Sequence, residues 1–322
     1  MLNDPNEMTF DNQTFSVILY GPPGVGKTTL ALSAPDPVLI DCDRGISRIK
    51  AEHRRLAKAV ITLNTYEEVL TDIESPVVAS AQTIIIDTGG SFVTFLQDWA
   101  MRSNPTVNKQ KNGAISLKGF GAVKSEFIRF TGYVRDVMNK NLIYVFHTEE
   151  KTDKDGNAQQ RLMCEGAAKN IVWTPCDFGG FIQMIGQERR IFFSPEQEFF
   201  AKGCHGINGN YAIPALGPSV PNDLLTRIFD QAKANIAAEN AEYLPLKEKY
   251  DAAIARGKEI VAGITDVETA NAAMPLINGI EHALTSKKEI GVMFNTKIKE
   301  LNLFWDSVLK KYTPAPEDKK EG

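Results

Sequence analysis

The most informative stretch of this 322-residue chain reads Phe15-Ser-Val-Ile-Leu-Tyr-Gly-Pro-Pro-Gly-Val-Gly-Lys-Thr-Thr29. From Gly21 to Thr28 it matches the phosphate-binding pattern G-x-x-x-x-G-K-[ST] in full. The glycines of this pattern let backbone N–H groups converge on phosphate oxygens, because no Cβ stands in the way. The lysine reaches the β- and γ-phosphates, and the final hydroxyl binds Mg²⁺. The stretch therefore predicts a site for ATP and Mg²⁺.

The sequence on either side of the loop supports this prediction. An apolar run typical of a buried strand precedes the loop, and the helix-forming run Thr28-Thr-Leu-Ala-Leu32 follows it. Such a helix points its positive end at the bound phosphate. The predicted nucleotide contacts are Gly21, Pro22, Pro23, Gly24, Val25, Gly26, Lys27, Thr28 and Thr29.

A second Mg²⁺ residue is expected at the end of a neighbouring strand. The run Thr83-Ile-Ile-Ile-Asp87 provides a carboxylate directly after four strand residues. In P-loop NTPases such an aspartate holds the metal together with the loop hydroxyl. We therefore predict that Thr28 and Asp87 bind Mg²⁺. The alternative is that Asp87 only caps the helix that follows it.

Two further strand ends suggest catalytic groups that act with Lys27. RecA-like ATPases place a catalytic glutamate at the end of the strand that follows the P-loop helix, and here this strand reads Val38-Leu-Ile-Asp-Cys-Asp43. Asp43 occupies that position, with Asp41 two residues earlier on the same strand face. His147 ends another apolar run, where an imidazole can contact the γ-phosphate or the attacking water. The alternative is that His147 merely ends a strand.

Short apolar runs alternate with longer amphipathic stretches from residue 15 to about residue 230. That alternation is typical of an α/β fold with a mostly parallel central sheet covered by helices on both faces. Shorter β-like pieces near residues 178–186, 189–194 and 197–202 suit an antiparallel extension at the edge of the sheet. We therefore predict a P-loop core built on one large sheet.

The composition of the chain changes after the segment Gly217-Pro-Ser-Val-Pro221, which interrupts the α/β pattern. Beyond it, strand-like runs are lacking, and Ala, Glu, Lys and Leu dominate. Apolar residues then recur at four- and three-residue steps, which predicts one helix face. These residues are Phe294, Ile298, Leu301, Trp305 and Val308. The sequence thus predicts a C-terminal all-α domain. The expected division is a flexible leader at 1–13, an ATP-binding domain at 14–220, a helical domain at 221–311 and a disordered tail at 312–322.

The composition is that of an ordinary soluble protein, with 43% hydrophobic and 24% charged residues. A formal net charge of −4 disfavours a coat protein for nucleic acid, although it leaves room for a local cationic groove. The cysteines lack metal-ligand spacing and the histidines do not cluster with them, so we expect free thiols in a reducing cytoplasm. No apolar run reaches the ~18 residues that span a bilayer, so no membrane contact is expected.

The order of these motifs resembles that of phage-encoded AAA-type nucleotide-binding proteins with a RecA-like core, a group that includes single-strand-annealing ATPases. The resemblance covers about residues 14–220. It rests on the P-loop and on the runs Leu-Ile-Asp-Cys-Asp-Arg-Gly45, Thr-Ile-Ile-Ile-Asp-Thr88 and Val-Phe-His-Thr-Glu-Glu-Lys151, with Asp155-Gly156. The resemblance implies a RecA-like P-loop core, ATP with Mg²⁺, the cytoplasm of a bacterial host, and a role in phage DNA recombination or replication.

The resemblance also implies assembly. Phe199-Phe-Ala-Lys-Gly203 resembles a late strand where relatives carry a basic residue that reaches the nucleotide of a neighbouring subunit. Lys202 is therefore expected to act in trans in a homo-oligomer with ATP at the subunit interface, the alternative being a plain surface lysine. Relatives usually have glutamate where this chain has Asp43, which is one methylene shorter. An ATPase is still expected, and the shorter side chain leaves slow or absent hydrolysis as the alternative.

Residues 101–124 contain several cations and no acidic residue, together with flexible glycines. Such a segment predicts a mobile loop that tracks single-stranded DNA, with an aromatic ring to stack on a base. The predicted contacts are Arg102, Lys109, Lys111, Lys118, Phe120 and Lys124. The alternative is a solvated insertion without a ligand.

Two functions are consistent with these patterns. The first is a Mg²⁺-dependent ATPase that acts on single-stranded DNA in phage recombination or replication. The second is a nucleotide-switched interaction protein that hydrolyses little and recruits a recombination or replication partner through residues 221–311.

Overall fold

The computed structural model describes residues 12–152, 156–164, 168–217 and 220–314. Most of the expected leader, the end of the expected tail and Asp155 lie outside these ranges. Contacts divide the chain into two compact units, Met1–Ile236 and Ala237–Gly322. None of the described helices combines the length and apolarity that crossing a membrane requires.

The first unit contains the P-loop and an α/β core. Its strands are β1 (Ser16–Gly21), β2 (Pro37–Asp41), β3 (Ala59–Thr62), β4 (Thr83–Asp87), β5 (Asn141–Thr152), β6 (Ala158–Leu162), β7 (Phe178–Ile185), β8 (Glu188–Phe192) and β9 (Asn210–Ile213). Its helices are α1 (Lys27–Ala31), α2 (Ala51–Arg54), α3 (Tyr66–Asp72), α4 (Pro76–Ala79), α5 (Gly89–Ser103), α6 (Pro105–Asn108), α7 (Leu117–Gly132) and α8 (Ala168–Trp173). A 3₁₀ turn spans Ile46–Arg48, and a π-helical turn, Tyr133–Val137, follows α7.

The strands form one nine-stranded sheet in the order β3-β2-β4-β5-β1-β7-β8-β9, with β6 paired to β5. The pairs from β3 to β7 are parallel, whereas β7, β8 and β9 pair antiparallel and the end of β5 pairs antiparallel with β6. The prediction of a mostly parallel sheet in a RecA-like P-loop core is confirmed. The crossover connections place helices against the sheet, as parallel strands require.

The central strands are buried on both faces, which explains why they read as continuous apolar runs. In β1, Ile18 and Tyr20 belong to one hydrophobic cluster, whereas Val17 and Leu19 belong to another. This split follows from the alternation of side chains along a strand. The two clusters fix the position of β1 from both faces of the sheet, and the P-loop begins at its carboxyl end.

The predicted strand at residues 197–202 is wrong. This segment makes only isolated bridges, Gln160 to Phe199 and Gly179 to Lys202, and β9 takes the edge position instead. The Phe199 ring stacks on Phe181, with centroids 4.3 Å apart. The segment is therefore held by isolated backbone hydrogen bonds and by its aromatic side chains rather than by a continuous ladder.

The prediction of a mobile loop over residues 101–124 is also wrong. Helix α5 continues to Ser103, the short α6 follows, and α7 begins at Leu117. The Ser116 hydroxyl caps α7 by accepting a hydrogen bond from the Gly119 N–H at 3.0 Å. The glycines misled the prediction because Gly119 serves close packing: a β-carbon there would lie 2.6 Å from the Asn108 carbonyl oxygen.

Helix α9 (Leu224–Ala262) is 39 residues long and begins in the first unit. Its first turns are buried in the core of that unit. The Asn222 side chain donates to the Thr29 carbonyl, and the Thr226 hydroxyl donates to the Ser33 carbonyl, both at 2.7 Å. The beginning of α9 is thus hydrogen-bonded to the segment that carries α1.

The second unit is helical, as predicted, but it is not all-α. After α10 (Val267–Asn278) and α11 (Ser286–Glu300), the chain forms a hairpin of β10 (Leu303–Asp306) and β11 (Lys311–Pro314). The predicted helix face through Trp305 and Val308 is therefore wrong, and the first residues of the predicted disordered tail lie in β11. Asn302 adopts φ 50°, a left-handed conformation that ends the helix. The Trp305 ring packs on Tyr312, with centroids 5.2 Å apart.

Two glycines of α7 provide a matched test of this packing. Gly119→Ala is expected to destabilise the protein by about 1–3 kcal/mol, because its methyl would overlap Asn108 and Ile115. Gly121→Ala is expected to stabilise it by about 0.5–1 kcal/mol, because nothing lies within 4 Å and alanine favours helix. Urea denaturation of both variants measures the difference. Equal effects would indicate that this segment is a loop in solution.

Candidate nucleotide site

The candidate site lies at the carboxyl ends of the parallel strands β1, β4 and β5. Because β5 lies between β4 and β1, Asp87 at the end of β4 and His147 in β5 come next to the loop that follows Gly21. Ligands of open α/β sheets bind at this edge, where the strands end and loops diverge. The sheet order therefore gathers residues that are far apart in sequence.

The P-loop has the backbone conformation that its glycines allow. Gly24 adopts φ 77° and Gly26 adopts φ 91°, a region that side chains disfavour. The N–H groups of Gly24, Val25 and Gly26 donate no hydrogen bond to any described residue. Several unpaired amides on one turn form a concave site for an anion, so the loop fits a phosphate group.

Lys27 lies across the loop and is only 5% exposed. Its ammonium donates to the carbonyls of Gly21 at 2.9 Å and Pro22 at 2.8 Å, and lies 3.2 Å from His147 Nδ1. Burial lowers the pKa of Lys27 to about 8, and the nearby Asp87 partly opposes this shift. A buried ammonium that mainly contacts carbonyls gains when an anionic phosphate binds beside it.

Thr28 and Asp87 form the candidate metal site. The Thr28 hydroxyl donates to Asp87 Oδ2 at 2.5 Å. Burial raises the pKa of Asp87 to about 6, and the carboxylates of Asp43 and Asp41 add to the shift. Oxygen ligands beside clustered negative charge suit Mg²⁺, and the Thr–Asp pair is the arrangement that holds Mg²⁺ in P-loop NTPases.

The alternative role of Asp87 as a helix cap does not fit the structure. Thr88 occupies the N-cap position of α5, where its hydroxyl accepts a hydrogen bond from the Ser91 N–H at 3.3 Å. The Asp87 carboxylate is therefore left to face Thr28.

The carboxylates of Asp41, at the end of β2, and of Asp43, which follows it, have different surroundings. Asp41 accepts hydrogen bonds from the N–H groups of Gly45 at 2.8 Å and Ile46 at 3.0 Å, which fixes the following turn. Strand β2 ends at Asp41, so the prediction that Asp43 shares its strand face is wrong. Asp43 is half-buried and lies close enough to raise the pKa of Asp87. Of the two, Asp43 has the freer carboxylate.

His147 is half-buried beside Lys27. Burial lowers the pKa of His147, the Lys27 and Arg48 charges lower it further, and Asp43 opposes them. The imidazole is therefore neutral near pH 7 and can either donate or accept a proton. Sequence reasoning missed Arg48, which donates to the Asp43 carbonyl at 3.2 Å. The only hint in the sequence was that Arg48 is the second arginine after Asp43.

Lys202 does not join this site within the chain. Its backbone pairs with Gly179, which lies opposite Ile18 in β1, and its ammonium donates to the Thr174 carbonyl at 3.2 Å. A role in trans stays a prediction.

A histidine and a cysteine lie close together at another place in the first unit. The side-chain atoms of Asp177, Cys204 and His205 that are of metal-ligand type lie within 4.8 Å of one another. The expectation that no histidine clusters with a cysteine is therefore wrong.

A cavity of about 880 Å³ adjoins the site, and we call it the side groove. Thr88, Ser91, Phe120, His147 and Lys151 are among its lining residues. The structure thus brings Phe120 next to the candidate site.

The predicted DNA-binding cations occupy other positions. Arg102 forms an ion pair with Glu67 at 2.8 Å. The remaining members of the set are exposed and lie outside the lining of the side groove. They are Lys109, Lys111, Lys118 and Lys124.

The buried carboxylate of Asp87 is expected to lower the stability of the metal-free protein, although the same charge favours metal binding. In EDTA and without nucleotide, Asp87→Asn is expected to stabilise the protein at neutral pH by on the order of 1–3 kcal/mol, because an amide carries no charge to bury. Thermal unfolding measures this effect, and the exposed Asp98→Asn serves as the control. A less stable Asp87→Asn variant would contradict this account of the site.

Comparison with known proteins agrees with the geometry. The family model described as an AAA domain matches residues 13–205, a range that contains the P-loop, Asp43, Asp87 and His147. No curated protein matches the chain. The match covers more than half of the sequence, and the domain that it describes is a nucleotide-binding domain of the ATPase type. The chain therefore belongs to the AAA domain family.

Proposed function

We propose that this protein is a Mg²⁺-dependent ATPase that acts on single-stranded DNA in phage recombination or replication. The observation that carries the ATP part is the hydrogen bond between Thr28 and Asp87, beside a loop with unpaired amides and a buried ammonium. One edge of the sheet thus carries groups suited to bind phosphate, groups suited to bind a metal ion, and a carboxylate suited to accept a proton.

The residues divide the work as follows. The loop amides and Lys27 bind the phosphates and compensate their charge. Thr28 and Asp87 would hold Mg²⁺, which would supply positive charge against the phosphates of the nucleotide. Asp43 orients the attacking water and accepts its proton, and the neutral His147 hydrogen-bonds the γ-phosphate or that water.

The DNA part rests on exposed groups of the segment 101–124. Lys109, Lys111, Lys118 and Lys124 are exposed and form no ion pair within the described part of the chain. Phe120 is 42% exposed and lines the side groove. Exposed lysines bind a phosphate backbone, and an exposed ring can stack on a base. Lys202 is proposed to complete the site of a neighbouring subunit in a homo-oligomer.

One observation favours the second candidate, a nucleotide-switched interaction protein. Asp41 is committed to a turn, which leaves Asp43 as the remaining carboxylate after β2. Its side chain is one methylene shorter than glutamate, so hydrolysis can be slow while nucleotide binding persists. In that case residues 221–311 recruit a protein partner.

Lys27→Ala is expected to weaken ATP binding by about 10- to 100-fold, because the variant loses a charge-assisted contact to phosphate. Isothermal titration calorimetry with Mg²⁺ and ATP measures the affinity, and the exposed Lys50→Ala is the control. Uptake of ATP by Lys27→Ala with the wild-type affinity would refute the proposed site.

Single-stranded DNA is expected to increase the rate of ATP hydrolysis. Phosphate release is measured with and without oligo-dT, at low and high salt, because backbone contacts weaken as salt rises. The double variant Lys118→Ala and Lys124→Ala is expected to need more oligo-dT for the same stimulation. An unchanged rate, with no gel shift at low salt, removes the DNA role. ATP binding without turnover, together with a gain of turnover in Asp43→Glu, supports the switch.

A further inference from the structure

The guanidinium of Arg189, which belongs to β8, lies beside Gly26 of the P-loop. A β-carbon built on Gly26 would lie 2.6 Å from Arg189 Nη1. Arg189 therefore rests directly against the backbone of the phosphate loop, within the same chain. It is half-buried, and its Nη2 donates to the Pro214 carbonyl at 3.3 Å.

The guanidinium of Arg189 has hydrogen-bond donors that are available to a ligand. A guanidinium carries five N–H donors and a permanent charge. Within the described residues Arg189 makes no ion pair, whereas the adjacent Arg190 pairs with Glu188 at 3.2 Å and also donates to Asn210 at 2.8 Å. Successive side chains of a strand point to opposite faces of the sheet. Of the two neighbouring arginines of β8, Arg189 therefore contacts the P-loop, whereas Arg190 is bound by Glu188 and Asn210.

The position of β8 indicates which part of a nucleotide Arg189 meets. Strand β1 has β5 on one side and β7 on the other, and β8 lies beyond β7. The metal and γ-phosphate residues, Asp87 and His147, belong to the β4 and β5 side. Arg189 belongs to the β8 side. A nucleotide whose γ-phosphate faces Asp87 extends its other end toward Arg189.

We propose that Arg189 binds the nucleotide in cis, at the α-phosphate and ribose end that ATP and ADP share. Arg189 is thus a binding residue for both substrate and product, distinct from Lys202, whose proposed action is in trans. This inference rests on the proposed nucleotide site and adds a residue to it. A bidentate guanidinium recognises phosphate oxygens with defined geometry, which a point charge does not.

The test compares the affinities of ATP and ADP in one set of variants. Arg189→Ala is expected to weaken both nucleotides by the same factor, about tenfold or more, because the lost contact is to their common part. Arg189→Lys is expected to recover part of the loss. Arg190→Ala is the matched control on the same strand and is expected to leave both affinities unchanged. Isothermal titration calorimetry gives the affinities, and thermal unfolding verifies that each variant is folded.

The outcomes separate this inference from the proposed function. If the wild-type protein binds neither nucleotide, the proposed site itself fails. If the wild type binds both and Arg189→Ala binds them equally well, only the role of Arg189 is refuted. A loss confined to ATP also overturns the inference, because it would place the guanidinium at the γ-phosphate. Should Arg189→Ala unfold, Arg189→Lys decides, since unchanged affinities in that folded variant would exclude a bidentate contact.

Discussion

The hydrogen bond between Thr28 and Asp87 joins two parts of the chain that the sheet keeps apart. Thr28 follows β1 and Asp87 ends β4, with β5 lying between these strands. The contact therefore requires three parallel strands in one register and a P-loop that bends back across their carboxyl ends. Lys27 and His147 meet under the same constraint. A shift in register by one residue would turn the side chains to the opposite face of the sheet and separate these groups.

The site concentrates charge that the rest of the core does not neutralise. Lys27 and Asp87 are both buried, and their pKa values move toward neutrality because burial disfavours each charged form. Such groups lower the stability of the ligand-free protein and favour ligands that compensate them. A triphosphate with a divalent cation supplies both signs of charge at once. Stability and ligand binding are therefore linked through the same few side chains.

Local patterns were enough to predict most of the sheet, the P-loop, Asp87 and His147, because these groups lie at the ends of buried apolar runs: Asp87 ends β4, and His147 lies where the parallel pairing of β5 with β1 ends. Residues brought in by topology were missed: Arg189 reaches the loop only because β8 folds back antiparallel beyond β7. The segment around Gly119 was misread because glycine signals flexibility in sequence but permits close helix packing in the structure. Trp305 and Val308 continued a helical spacing past Asn302, where the backbone turns left-handed. The spacing of apolar residues carries no information about a single left-handed residue that ends a helix.

The start of α9 has a mechanical consequence. Asn222 and Thr226 are hydrogen-bonded to the carbonyls of Thr29, inside α1, and of Ser33, two residues after α1 ends. Any displacement of α1 must either carry the first turn of α9 with it or break these bonds. A change in α1 on nucleotide binding is therefore felt at the residues that begin α9, within the first unit.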